Sequence, residues 1–148
     1  MLNNLFNELS RQYGVDISVV DKLEAYTFKF ENNIELYVYL SKDKYTLHIY
    51  SIVQSISASD DKLTLFEYLL KFQLMGVKSH HNSFGLSNDG HTIYIYRNFD
   101  IHTVIPEQFV RGIKSLATTC EYTREQLQQL HIEPSSQNRP MRYHRIQA

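Results

Sequence analysis

Leu2, Leu5, Phe6, Leu9 and Tyr13 recur at helical spacing, with Asn3, Asn7, Glu8 and Arg11 on the other face. The spacing predicts an amphipathic helix over 2–13, and Gly14 stands where a C-terminal cap belongs. From residue 24 the period drops to two. Tyr26, Phe28 and Phe30 alternate with Ala25, Thr27 and Lys29. Ile34, Leu36, Val38 and Leu40 alternate with Glu35, Tyr37 and Tyr39, and Tyr45, Leu47 and Ile49 with Thr46, His48 and Tyr50. Glu31-Asn32-Asn33 and Ser41-Lys42-Asp43-Lys44 supply the turns between them. Residues 24–52 therefore read as a three-stranded antiparallel meander.

A second helix is predicted over 60–75, with Asp60 or Asp61 as N-cap and Gly76 at its end. Leu63, Leu65, Phe66, Tyr68, Leu69, Leu70, Phe72, Leu74 and Met75 are too many apolar groups for one stripe. Such a helix needs cover on more than one side, and a second copy of the chain is the simplest cover. A hairpin follows over 81–97, turning at Ser87-Asn88-Asp89-Gly90 before His91-Thr92-Ile93-Tyr94-Ile95-Tyr96. Pro106 opens a third helix with the stripe Phe109, Ile113, Leu116, Cys120, Leu127 and Leu130, which Pro134 closes. The expected fold class is α+β. Its order is α-β-β-β-α-β-β-α, a sandwich of helices packed on a mostly antiparallel twisted sheet. Residues 1–130 are expected to form one domain, and 131–148 a polar, basic, disordered tail.

One feature of the meander departs from the usual pattern. The solvent side of such a sheet is normally polar, yet here it carries Tyr37, Tyr39, His48 and Tyr50. Cross-strand tyrosine pairing explains this as well as a partner-binding face does.

Composition narrows the function classes. The chain has 148 residues and a net charge of -1, with 11 Tyr, 8 Phe and no Trp. No global basic field exists to attract nucleic acid or anionic lipid. The tail holds Arg139, Arg142 and Arg145 against Glu133, a net +2 that leaves -3 for residues 1–130. These arginines read as solvated surface. Cys120 is the one cysteine, which excludes an internal disulfide and a cysteine-based zinc site. It stands on the third helix's apolar stripe and reads as a buried structural thiol. The N-terminus lacks a signal-peptide pattern and no run is long enough to span a bilayer, so a soluble cytoplasmic protein is expected.

Catalytic chemistry finds no foothold. His80-His81, as strand neighbours, would point to opposite faces and could not share a metal, and His48, His91 and His102 are scattered. Asp60-Asp61 is explained by capping, and Gly85 and Gly90 form no phosphate loop. The expectation is no catalytic residue, no metal and no cofactor.

Three patches resemble a known family. They are Leu5-Phe6-Asn7-Glu8-Leu9 running to Gly14, the apolar helix Leu65-Phe66-Glu67-Tyr68-Leu69-Leu70-Lys71-Phe72, and Phe84-Gly85-Leu86-Ser87-Asn88-Asp89-Gly90-His91-Thr92-Ile93. With the order of elements, they look like the type III secretion chaperones of the Tir chaperone (CesT-like) group, over about residues 1–130. This chain is less acidic than many such proteins, and the basic tail lies outside the usual core. The resemblance implies a homodimer in the bacterial cytosol that binds the N-terminal region of a secreted effector in extended, export-competent form. It implies an effector-binding surface on the first helix, the meander and the third helix. The residues expected there are Leu5, Phe6, Leu9, Tyr13, Tyr26, Phe28, Tyr37, Tyr39, His48 and Tyr50. It implies a dimer region on the second helix and second strand group, with Leu65, Phe66, Leu69, Phe72, Ile93 and Ile95.

An extended client would add to a sheet edge, either Tyr26–Phe30 or Ile93–Tyr96. Phe6, Leu9 and Tyr13 would wall a groove beside the tyrosine face. Release would fall to an outside agent such as a secretion ATPase. The competing reading is an adaptor or regulatory domain of similar fold that binds a folded partner.

Overall fold

The computed structural model describes residues 2–14, 16–20, 25–30 and 32–132, with backbone alone for 16–20 and 131–132. Helix α1 (Leu2–Tyr13) leads into strands β1 (Asp16–Val20), β2 (Ala25–Lys29), β3 (Glu35–Leu40) and β4 (Thr46–Ser55). Helix α2 (Lys62–Gln73) and a 3-10 turn (Leu74–Gly76) follow, then β5 (Ser83–Leu86), β6 (Thr92–Asp100) and the long helix α3 (Pro106–Ile132). The strands form one antiparallel sheet in the order β1-β2-β3-β4-β6-β5.

The α+β class holds, with one strand more than the periodicity predicts. β1 pairs with β2 from Asp16↔Lys29 to Val20↔Ala25. Five residues give too short an alternation to stand out, and the pairing partner supplies the stability that propensity does not. The helical reading of α1 and its cap is met: Gly14 has φ +59 and its N–H donates to Ser10 O at 2.8 Å. Asp61, rather than Asp60, caps α2, accepting from Thr64 N at 3.2 Å. The 87–90 turn closes as expected, with Gly90 at φ +75.

The sheet has two unlike faces. On one, Phe28, Leu36, Val38, Leu47, Ile49, Ile93 and Ile95 are fully buried beneath the helices, with Ile93 beside Phe66 and Leu69 of α2. Phe109, Ile113, Leu116, Cys120 and Leu127 descend from α3 to meet them. A bulge at Ile52/Gln54 bends β4, and Arg124 of α3 donates to the freed Ile52 carbonyl from Nε at 3.2 Å. The thiol of Cys120 is buried as expected, and burial raises its pKa above the usual value. His80 and His81 lie in a turn rather than on a strand, both with positive φ (53 and 65). The helix stop at Pro134 and nearly all of the 131–148 tail lie outside the described residues; His131 and Ile132 still belong to α3.

Candidate protein-binding surfaces

The outward face of the sheet is aromatic. Tyr37 stacks on Tyr50 at a centroid distance of 5.3 Å, and Tyr39 stacks on His48 at 4.6 Å. Each pair sits directly across the β3–β4 ladder. Tyr94 of β6 meets Tyr50 edge-on at 5.7 Å, extending the patch across a third strand. Nothing in the sequence pattern places Tyr94 here, because its membership depends on β6 lying beside β4. His48 Nδ1 lies 2.9 Å from Asn98 Oδ1, a contact in which the Nδ1–H tautomer donates. Tyr37 O–H donates to Glu35 Oε2 at 3.1 Å. Burial is the main cause raising the pKa of both Tyr37 and Tyr50, helped by Glu35 for the first and by Tyr94 for the second. Their hydroxyls stay protonated at neutral pH, and that of Tyr37 is already committed to Glu35. Tyr39 and Tyr96 remain 41% and 39% exposed.

The helix-side half of the expected client surface is placed otherwise. Leu5, Phe6, Leu9 and Phe28 are buried in the core, so they cannot wall an open groove. Phe6 packs edge-on against Tyr26 at 4.8 Å and Phe28 at 5.3 Å, all on the helix-covered face. The sheet itself separates them from Tyr37, Tyr39, His48 and Tyr50. Tyr13 is exposed at the end of α1, beneath Lys114 Nζ at 5.7 Å from its ring. The expected sheet edges also move. β2 is paired on both sides, by β1 and β3, and β6 by β4 and β5; the edges are β1 and β5. Part of the β5 edge is already occupied, since Phe84 N–H donates to Gln73 Oε1 at 2.8 Å.

A second apolar surface surrounds α2. Leu65, Leu69, Phe72, Ile93 and Ile95, expected at a subunit contact, are instead buried within the protomer, and Phe66 is half-buried. The surplus lies on the opposite stripe. Leu63, Leu70 and Leu74 are 65%, 64% and 67% exposed, and Met75 and Val77 more so. Positions 63, 70 and 74 fall on one helical face. Beside them runs a shallow groove of about 240 Å³ between α2 and β5, lined by Phe66, Leu70, Phe84 and Leu86 among others. Among the described residues no group of three or more His, Cys, Asp or Glu could hold a metal, and no helix is long and apolar enough to cross a membrane.

Together these features define an α+β domain with one sheet face covered by helices, one aromatic face left open, and an unfilled apolar flank on its central helix. The chain belongs to the Tir chaperone protein (CesT) family, whose model matches residues 4–124. Solved structures of similar fold support the same architecture at low identity. A chain in the HopA1-SchA chaperone-effector complex is 14% identical with a TM-score of 0.63, over 84% of this chain and 93% of that one. The Yersinia pestis type III secretion chaperone SycH, solved with a fragment of YscM2, gives 14% and 0.60, over 83% and 99%. YbjN from E. coli, a candidate transcription regulator, gives 12% and 0.63, over 85% and 90%. No curated protein matches the chain.

Proposed function

We propose that this chain is a non-enzymatic type III secretion chaperone. In this reading it works as a homodimer in the bacterial cytoplasm and holds the N-terminal region of a secreted effector in extended form. Family membership supports the chaperone class. The observation that carries the client site is the open aromatic face of β3, β4 and β6, where stacked Tyr37–Tyr50 and Tyr39–His48 pairs offer a broad apolar area. Such rings suit an interface because they give large contact area with few rotatable bonds. The likeness to chaperones solved with bound partners points the same way.

Binding is an equilibrium process that needs no nucleotide. Ordering a disordered client costs about 2 to 5 kcal/mol, so the chaperone must offer a wide surface to offset it. The exposed stripe of α2 supports the dimer, which doubles that surface and joins two client sites. Release is then the work of a separate agent, for which a secretion ATPase is the natural partner class.

The test is co-expression with effectors encoded beside the gene, followed by pull-down and mass determination. The double variant Tyr39→Glu, Tyr50→Glu is expected to lose the client while keeping its own fold and subunit state. Undiminished capture would reject the aromatic face. The likeness to YbjN supports a second reading, a regulatory domain that binds a folded partner. Recovery of a folded domain in place of an unfolded segment would favour that reading.

A further inference from the structure

Strand β6 outruns its neighbour. Its pairing with β5 ends at Ser83↔Tyr96, whereas Arg97, Asn98, Phe99 and Asp100 pair with β4 alone. The free side of this stretch opens into a cleft of about 540 Å³, bounded by the 77–81 turn and the first half of α3 and lined by all four residues. Two arginines, Arg97 and Arg111, line it together with His80 and His81, against the single carboxylate of Asp100. This is a local exception in a region, residues 1–130, whose net charge is -3.

Arg97 is the anchor. Its Nη1 donates to His80 O at 3.1 Å and to Asn82 Oδ1 at 3.4 Å, and its guanidinium lies 5.5 Å from the Phe99 ring. Among the described residues no carboxylate lies within ion-pair distance of it. Arginine stays charged whatever its surroundings, so a half-buried cation is held here with neutral partners only. Glycine at 112 gives room first to the Phe99 ring, with which a Cβ there would collide, and then to Arg97, whose Nε would stand 3.1 Å from it. The turn that receives it holds His80 and His81 in left-handed backbone, a strain that persists only where the surroundings fix it.

We propose that this cleft binds an extended acidic segment of a polypeptide. The segment's backbone pairs with the free side of Arg97–Asp100, short of the Asp100 carbonyl that Thr103 and Val104 N–H already occupy, and carboxylates on its helix-facing side meet Arg97 and Arg111. An extended chain fits better than a compact oxyanion for two reasons. The lining sets apolar Phe99 and Val104 beside Arg97 and Arg111, where a compact oxyanion would call for polar donors throughout. A strand edge left open up to the Asp100 carbonyl also calls for a partner with its own backbone donors and acceptors. The site is separate from the aromatic face, since the side chains of Arg97 and Phe99 turn toward the helices while Tyr50 and Tyr94 turn away. Failure of one therefore leaves the other untouched.

The experiment is two-dimensional NMR of the full chain at constant ionic strength, following amides and the arginine Nε–H signals. The probes are acetyl-Glu-Val-Glu-Val-Glu-amide, its glutamine counterpart and inorganic phosphate. The acidic peptide should give saturable shifts at Arg97, Phe99, Asp100 and Gly112, with the glutamine peptide weaker by about tenfold. Arg111→Gln, at an exposed position, should weaken acidic binding by about threefold with Tm unchanged, and Arg97→Gln should weaken it further. Equal affinity of the two peptides would overturn the proposal, as would peptide shifts confined to the tyrosine face. Saturation of the Arg97 signal by phosphate with no response to the acidic peptide would also overturn it, marking a small-anion site instead.

Discussion

Placing a charge at Leu70 should split the proposed dimer while sparing the protomer. Leu70 is 64% exposed on α2, on the same stripe as Leu63 and Leu74, so its side chain does little for the protomer's own core. Full burial of a leucine contributes about 1.5 to 3 kcal/mol, and the exposed two-thirds therefore about 1 to 2 kcal/mol on covering. A two-fold interface uses the same patch twice, so Leu70→Asp removes about 2 to 4 kcal/mol per dimer, roughly a 30- to 700-fold weaker association. Desolvation of two new carboxylates adds to that loss. Sedimentation velocity over a concentration series measures it directly: the dimer-to-monomer midpoint should rise by that factor, with circular dichroism and Tm unaltered. A wild-type chain that stays monomeric to tens of micromolar would refute the reasoning, and so would a Leu70→Asp midpoint that does not move.

Other outcomes follow from the same geometry. Tyr39→Glu with Tyr50→Glu should abolish client capture in pull-down without changing the sedimentation coefficient of the free protein. Phe28→Ala removes a fully buried ring between Phe6 and the α3 core and should lower the unfolding free energy by about 3 to 5 kcal/mol in urea titration; a loss below about 1 kcal/mol would contradict its place in the core. Asp61→Ala should lower Tm at pH 7 through loss of the α2 cap. The bonds from the Thr64 hydroxyl and backbone N–H hold the Asp61 carboxyl below its usual pKa. Its contribution is thus present above the unfolded carboxylate pKa of about 3.9 and fades as pH falls through the lower folded value. The Tm gap between wild type and Asp61→Ala should narrow over that acid range, and a pH-independent gap would show that the charge plays no part.

Much of the fold was legible because its signals are local. Period-four and period-two spacing, Gly14, the Asp61 cap and the Asp89-Gly90 turn each lie within a few residues of what they specify. β1 escaped because five residues carry little periodic information, and its stability comes from a partner strand. The candidate surfaces were legible in part. The tyrosine pairs could be read from register within the meander, since Tyr37 and Tyr50, or Tyr39 and His48, are joined by one short turn. Tyr94 and Asn98 could not, because they arrive from another strand group.

The sequence by itself determined which residues are apolar, how they repeat, and that α2 carries more of them than one face can bury. Only the tertiary structure decided which side of each element is used. Leu65, Leu69 and Phe72 turn inward, whereas Leu63, Leu70 and Leu74 turn outward, although all six look alike in the pattern. The same holds for Phe6 and Leu9, which are sealed beneath the sheet rather than set beside its aromatic face. Periodicity fixes relative position around one element, but burial depends on where other elements lie. That is set by strand order, here β4 beside β6, a contact between residues some 45 positions apart in the chain.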